Sequence, residues 1–201
     1  MKTTYTCFCT DIIHEGHRNI IRYAKQLGYV VVGALTDEVL IRYNKFPTIP
    51  LAERIKLYKE QEGVDEVIIQ DSIMYDKAIS KLKPDYVVHG DNWKIGPESA
   101  IRRNVIDLLA VYGGELIEVP YTYSEQVKKI DSQLREKLAM PEYRRKRLKQ
   151  LISLCPVVKT IEVHSGLTGL IAEKTVVEHG GYLDQFDAMW VSSLCDSTAK
   201  G

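Results

Sequence analysis

Two histidines stand three apart near the start of the chain. His14 and His17 bracket Glu15 and Gly16, and Thr10 and Asp11 precede them. An imidazole offers a donor, an acceptor or, when protonated, a positive charge, and glycine lets a ligand approach the backbone. The run lies between Thr4–Cys9, rich in β-formers, and Arg18–Leu27, where Ile20, Ile21, Ala24 and Leu27 recur at helical spacing. The pair therefore sits at a strand-to-helix turn, where unpaired backbone N–H groups attract anions and phosphate above all. The chemistry offered is the binding and polarising of a phosphate group. Two other readings stand beside it. The histidines could be ordinary surface or half-buried residues. Cys7 and Cys9 share a strand face and could join them around zinc, although Cys-x-Cys is not a usual zinc spacing.

The elements that must position these residues alternate. Gly28 ends the first helix as a C′ glycine would. Tyr29–Thr36 is a continuous apolar run, as expected of a parallel strand buried on both faces. Asp37 reads as the N-cap of a short helix to Tyr43, residues 44–50 as a Pro-containing loop, and Leu51–Gln61 as a helix opened by Pro50. Strands follow at 66–70, 86–88 and 115–120, with helices at 75–82 and 97–112 and helix again from Tyr123. Five strand–helix alternations predict an α/β fold, a Rossmann-like parallel five-stranded sheet with helices on both faces. Ligands of such sheets sit outside the carboxyl ends of the strands. The ends of the first and fourth strands carry His14–His17 and His89-Gly90-Asp91-Asn92-Trp93, which predicts one shared site.

Composition bounds the rest. Twenty-seven Lys and Arg balance 27 Asp and Glu, which argues against a general nucleic-acid or membrane-surface binder. Four cysteines without regular spacing suggest reduced thiols, no apolar run reaches transmembrane length, and no signal-peptide pattern opens the chain, so the cytoplasm is the expectation. The basic run Tyr143–Lys149 reads either as an anion patch or as the solvated face of a linker helix, and the zero net charge favours the second. Residues 1–135 are expected to form one domain and 136–156 a helical linker. Residues 157–201 read as one β-α-β unit: a strand at 157–163, a helix at 166–179 and a strand at 186–191.

His14-Glu15-Gly16-His17 resembles the His-x-Gly-His signature of the nucleotidyltransferase superfamily, specifically the cytidylyltransferases of the glycerol-3-phosphate and ethanolamine-phosphate type. The resemblance implies that His14 and His17 contact a triphosphate and stabilise the transition state at its α-phosphate. It implies that Lys45 reaches the phosphates, where an ordinary solvated loop lysine is the competing reading. Thr10, Asp11, Gly16, Gly90, Asp91 and Trp93 would bind nucleotide, with Trp93 either stacking on a base or covering the sheet end, and Arg102 would bind substrate. Two stretches depart from the family. Phe8-Cys9-Thr10-Asp11 keeps only the aspartate of Gly-x-Phe-Asp. Tyr121–Lys128 replaces a Ser/Thr-rich run, keeping Thr122 and Ser124 as hydroxyl donors and adding Glu125.

Glu162–Thr168 and Trp190–Leu194 resemble the opening of phosphoenolpyruvate mutase, a β/α barrel. There Trp190, Ser192, Ser193 and Leu194 would be a vestigial phosphate and carboxylate site, without the residues needed for mutase activity. The expected reaction joins CTP, bound with Mg²⁺, to a small phosphonate or phosphate monoester, in a fusion serving phosphonate biosynthesis. No metal site of the protein's own, no nucleic acid and no membrane are expected, and a homodimer is left open. The alternatives are a non-catalytic nucleotide-binding module, an ATP-using adenylyltransferase, and a scaffold held by the basic helix around Arg144.

Overall fold

The computed structural model describes residues 1–43, 45–96, 98–120, 122, 125, 128–130, 132, 133, 136, 140–179 and 182–191, the side chains of Arg144 and Tyr182 aside. The first strand, β1 (Thr3–Phe8), lies in the middle of a five-stranded sheet. On one side it pairs with β2 (Tyr29–Leu35), which pairs with β3 (Glu66–Gln70). On the other it pairs with β4 (Tyr86–Gly90), which pairs with β5 (Glu115–Val119). All four pairings are parallel. The chain moves outward from β1 to β3, then returns to β4 on the opposite side. That reversal is a topological switch point, and it opens a crevice beyond the ends of β1 and β4.

Helices cover both faces: α1 (Glu15–Leu27), α2 (Asp37–Arg42), α3 (Leu51–Lys59), α4 (Asp76–Leu82) and α5 (Ser99–Ala110), with a 3₁₀ turn at Asp91–Lys94. The central strands supply both cores by alternation. Val30, Val32 and Val88 pack with Phe8, Ile21 and Tyr58 on one face. Tyr5, Val31 and Val87 pack with Ile79, Trp93 and Val105 on the other. This is why the strands read as unbroken apolar runs.

Two caps differ from the sequence expectation. Gly28 has φ 163°, which is extended rather than left-handed backbone. Glycine is needed there because a Cβ would stand 2.1 Å from the Lys2 carbonyl oxygen, which accepts a hydrogen bond from Tyr29 N–H at 2.9 Å. Gly28→Ala is expected to cost about 1–3 kcal/mol in chemical denaturation, because the backbone of β1 must give way. Thr36, not Asp37, caps α2, its hydroxyl accepting from Val39 N–H at 3.3 Å. Asp37 is thereby left to meet Arg54.

Beyond the sheet, α6 (Pro141–Leu154) packs Leu151 and the following Cys155 against Ile41 of α2, and its Arg147 guanidinium lies over the Phe46 ring at 4.6 Å. Next come β6 (Thr160–Val163) and α7 (Gly166–Lys174). The helix expected to reach His179 stops at Lys174. Thr175-Val176-Val177 is β-branched and favours strand. β7 (Val177–His179) instead pairs antiparallel with β8 (Tyr182–Asp184). The strands expected at 157–163 and 186–191 are shorter, as β6 and β9 (Ala188–Val191), and they pair in parallel.

Candidate active site

The turn after β1 is built around the two histidines. His14 is the N-cap of α1, and its Nδ1 accepts from Gly16 N–H at 3.1 Å. His14 N–H in turn donates to His17 Nδ1 at 3.3 Å. The rings lie 3.9 Å apart, tilted by 43°. This is a capping box made from two imidazoles. Because both Nδ1 atoms accept, each neutral ring carries its proton on Nε2, leaving two N–H donors at the helix N-terminus. His17 is held neutral. Desolvation, then the nearby His14, Arg18 and His89, lowers its pKa to about 3. The positive charge open to the pair from sequence is therefore not what His17 provides. The space beside Gly16 is taken by His14 itself, since a Cβ there would stand 2.9 Å from the His14 ring.

His14→Ala should cost about 1 kcal/mol of stability through the lost cap. His14→Asn restores a capping oxygen without the ring N–H. If His14 acts on phosphate, the asparagine variant melts with the parent and still loses pyrophosphate release.

A cavity of about 170 Å³ opens between the ends of β1 and β4. Cys9, His17, Lys45, His89, Asn92 and Glu98 line it. His89 lies against Trp93 with centroids 3.7 Å apart and planes at 12°, and its Nδ1 is 2.8 Å from the Gly90 carbonyl oxygen. That contact fixes the proton on Nδ1 and turns Nε2 into an acceptor, the reverse of the other two rings. Burial lowers its pKa. Lys45 Nζ sits 3.1 Å from Glu98 Oε1 and 3.3 Å from Cys9 Sγ. Burial works to lower the lysine's pKa, but Cys9 and Glu98 outweigh it and hold the ammonium charged. Lys45 is thus a half-exposed lysine whose ammonium is paired rather than free.

The remaining expected residues divide into groups. Asp11 accepts from Thr48 N–H, and its other oxygen is 3.8 Å from Arg54 Nε. The Thr10 hydroxyl bonds Ile12, and the Thr10 carbonyl accepts from Tyr58 at 2.6 Å. Both residues anchor the loop that carries His14. Thr122 Oγ1 accepts from Asn19 of α1 at 2.8 Å, which brings it to the histidine turn. Asp91 opens the 3₁₀ turn beside Gly90. Trp93 is 1% exposed, with His89 over its ring and its indole N–H on Glu118 at 2.9 Å. Of the two readings of Trp93, covering the sheet end is the one this geometry matches.

Arg102 stands back from the cavity and pairs with both oxygens of Glu118, at 2.9 and 3.0 Å. That contact, with Trp93 and Lys94, holds the Glu118 carboxyl down to about 2 against burial. Ser124, Ser192, Ser193 and Leu194 lie outside the described residues, and Trp190 is 65% exposed on β9. Among the described residues no group of three or more His, Cys, Asp or Glu side chains is placed to hold a metal, so Cys7 and Cys9 do not build a zinc site with the histidines. Among the same residues no helix is long and apolar enough to cross a membrane.

Sequence reasoning placed His89 at the shared site through its position at a strand's carboxyl end, without assigning it a role. Glu98 was missed, and so were the contacts of Cys9 with Lys45 and of the fully buried Arg54 with Asp37, because these are tertiary and not in the sequence.

Residues 5–132 match the model of the cytidylyltransferase-like family. Among curated proteins, the chain is 32% identical over 122 residues to the bifunctional protein HldE of Desulfatibacillum aliphaticivorans, covering 59% of this chain and 24% of that one. It is 37% identical over 97 residues to ethanolamine-phosphate cytidylyltransferase of Arabidopsis thaliana, covering 45% and 23%. It is 32% identical over 90 residues to FAD synthase of Ferroglobus placidus, covering 45% and 59%. The match spans about a quarter of the length of the first two. A crystal structure of the lipopolysaccharide core biosynthesis protein from Thermoplasma volcanium GSS1 shares the fold, with a TM-score of 0.51 at 22% identity over 62% of this chain and 99% of that one.

Proposed function

This chain belongs to the cytidylyltransferase-like family, and on that footing we propose that it transfers a cytidylyl group from CTP to a small phosphonate or phosphate monoester. The observation that carries the reading is the reciprocal His14–His17 cap at the switch point of the sheet. The acceptor's oxygen attacks the α-phosphorus in line. The bond from that phosphorus to the bridging oxygen breaks, and pyrophosphate leaves with the electron pair. His14 and His17 donate from Nε2 to the phosphate oxygens where charge develops, as neutral donors already oriented before substrate arrives. Lys45 adds a cation by exchanging Glu98 for phosphate.

Mg²⁺ is part of the substrate in this reading. It enters on the triphosphate, whose charge it offsets. Thr10, Asp11, Gly16, Gly90, Asp91 and Thr122 shape the nucleotide side, and Ser124 is assigned to it by the family resemblance alone. Arg102 acts through Glu118 and Trp93 rather than on substrate.

The phosphonate assignment draws on residues 157–201 as the opening of a phosphoenolpyruvate mutase-like barrel. The parallel pairing of β6 and β9 around α7 supports that reading. Similarity to FAD synthase keeps ATP as a second donor. Exposed Glu125 beside the altered phosphate run favours a module that binds nucleotide without turnover.

One assay separates these: pyrophosphate release with Mg²⁺ and either CTP or ATP, against 2-aminoethylphosphonate, 2-hydroxyethylphosphonate, phosphoethanolamine and glycerol-3-phosphate. Release with CTP and one acceptor is expected. CTP binding without release from any acceptor would make the chain a binding module.

A further inference from the structure

Beside the first cavity lies a second, of about 320 Å³. Lys45, Ile73, Glu98 and Ile101 line both, so the Lys45–Glu98 pair stands on their common boundary. The opposite side of the second cavity is made by Glu173, Lys174, Val176, Leu183 and Gln185. All five lie outside residues 5–132, the part of the chain that matches the family.

This wall is docked on the sheet domain. Leu183 is buried in the same core as Ile79 and Trp93, and Val176 packs against it. Tyr43 Oη donates to the Leu183 carbonyl at 2.8 Å, and Gln185 Nε2 donates to the Arg42 carbonyl at 2.7 Å. An exposed Arg103–Glu178 pair at 3.2 Å adds little. The apolar seat and two hydrogen bonds between residues some 140 apart in sequence hold the segment in place.

We propose that Glu173, Lys174, Val176, Leu183 and Gln185 complete the acceptor subsite, so that acceptor choice is set by residues outside the shared fold. The inference rests on the transfer reading for its name, but the subsite can be tested without turnover. The second cavity is of the size of small-ligand sites. It meets the first at Lys45, the cation that the transfer reading assigns to phosphate. Its two cations come from opposite sides, Lys45 from the family fold and Lys174 from the added wall. A phosphorus-centred dianion between them satisfies both, while Ile73, Ile101 and Val176 limit what the rest of the acceptor can be. Lys174 is 71% exposed, and its ion pair with the adjacent Glu173, at 3.4 Å, is readily traded for a ligand anion.

Two variants of the full chain test this, Val176→Trp to fill the cavity and Lys174→Met to remove its cation. Phosphoethanolamine, with the other three acceptors in parallel, is titrated calorimetrically into the nucleotide-free protein. CTP is titrated separately, and each variant is melted. The expected result is acceptor binding weakened about tenfold or more in both variants, with CTP affinity within about twofold of the parent. In turnover the acceptor's KM rises and kcat is kept. If Val176→Trp melts early, the exposed Lys174→Met carries the test. Unchanged acceptor binding in a folded variant overturns the proposal, as does a parent that binds none of the four acceptors. A parent that binds acceptor through this wall yet releases no pyrophosphate leaves the subsite standing and sinks the transfer reading.

Discussion

His17→Ala is expected to lower pyrophosphate release by about 100- to 1,000-fold while the protein stays folded, the effect of losing one preorganised donor to developing phosphate charge. The side chain does two jobs. Its Nδ1 accepts from His14 N–H, and its ring meets Phe8 edge-on with centroids 5.0 Å apart. The lost cap costs about 1 kcal/mol, a shift of only a few degrees in melting temperature for a chain of this size. If the variant instead unfolds, the pair is structural and the catalytic reading fails.

The pH dependence gives an independent check. His17 titrates at about 3 when folded and near 6.5 when unfolded. Between those values the unfolded chain binds the proton that the fold refuses. Stability is therefore undiminished by this residue above about pH 6.5 and falls as pH drops toward 3. His17→Ala should flatten part of that fall, with His89, also lowered, accounting for more of it. Between pH 5 and 8 the activity should show no acid limb from His17. An activity that required protonation of this ring near pH 6.5 would contradict its role as a neutral donor.

Arg54→Met is expected to be the most destabilising single change. Arg54 is fully buried. Its guanidinium donates to the Leu35 carbonyl at 2.7 Å and to the Asp37 carboxylate, and its Nε stands 3.8 Å from Asp11. Methionine keeps much of the volume but strands two carboxylates against a buried surface. Breaking one side of such a pair costs about 3–5 kcal/mol, or about 6–20 °C in melting temperature for a protein this large. The loop carrying Asp11 and His14 is tied to α2 and α3 through this side chain, so CTP affinity should fall even at temperatures where the variant is folded. Arg54→Lys should rescue little, because an ammonium cannot reproduce a planar fork that reaches three partners. A variant melting within a degree or two of the parent would show that the network is incidental.

Much of this arrangement was legible beforehand. Tyr29–Leu35 announced a two-faced central strand through its unbroken apolar run. His14–His17 and His89–Trp93 announced a common site because both follow strands. The partners of these residues were not legible, since Glu98 meets Lys45 and Asp37 meets Arg54 only after the chain has crossed the sheet. Gly28 was read correctly as a terminator but for the wrong reason, because its neighbour in space is Lys2. Residues 175–179 were read as helix since a short β-branched run carries no period of its own, and pairing with 182–184 decided the matter.

The capping box has a consequence for how the site opens and closes in time. The bonds that orient the two imidazoles are the same bonds that close the first turn of α1. Fraying of that turn and misorientation of the rings are thus a single event, governed by one local opening free energy rather than two. Helix ends sit at the low-stability end of a protein's range of local openings. Deuterium uptake at the His14 and Gly16 amides therefore counts the molecules whose ring pair is, at that instant, out of register. A ligand seated on the Nε2 donors would slow that uptake without touching either amide.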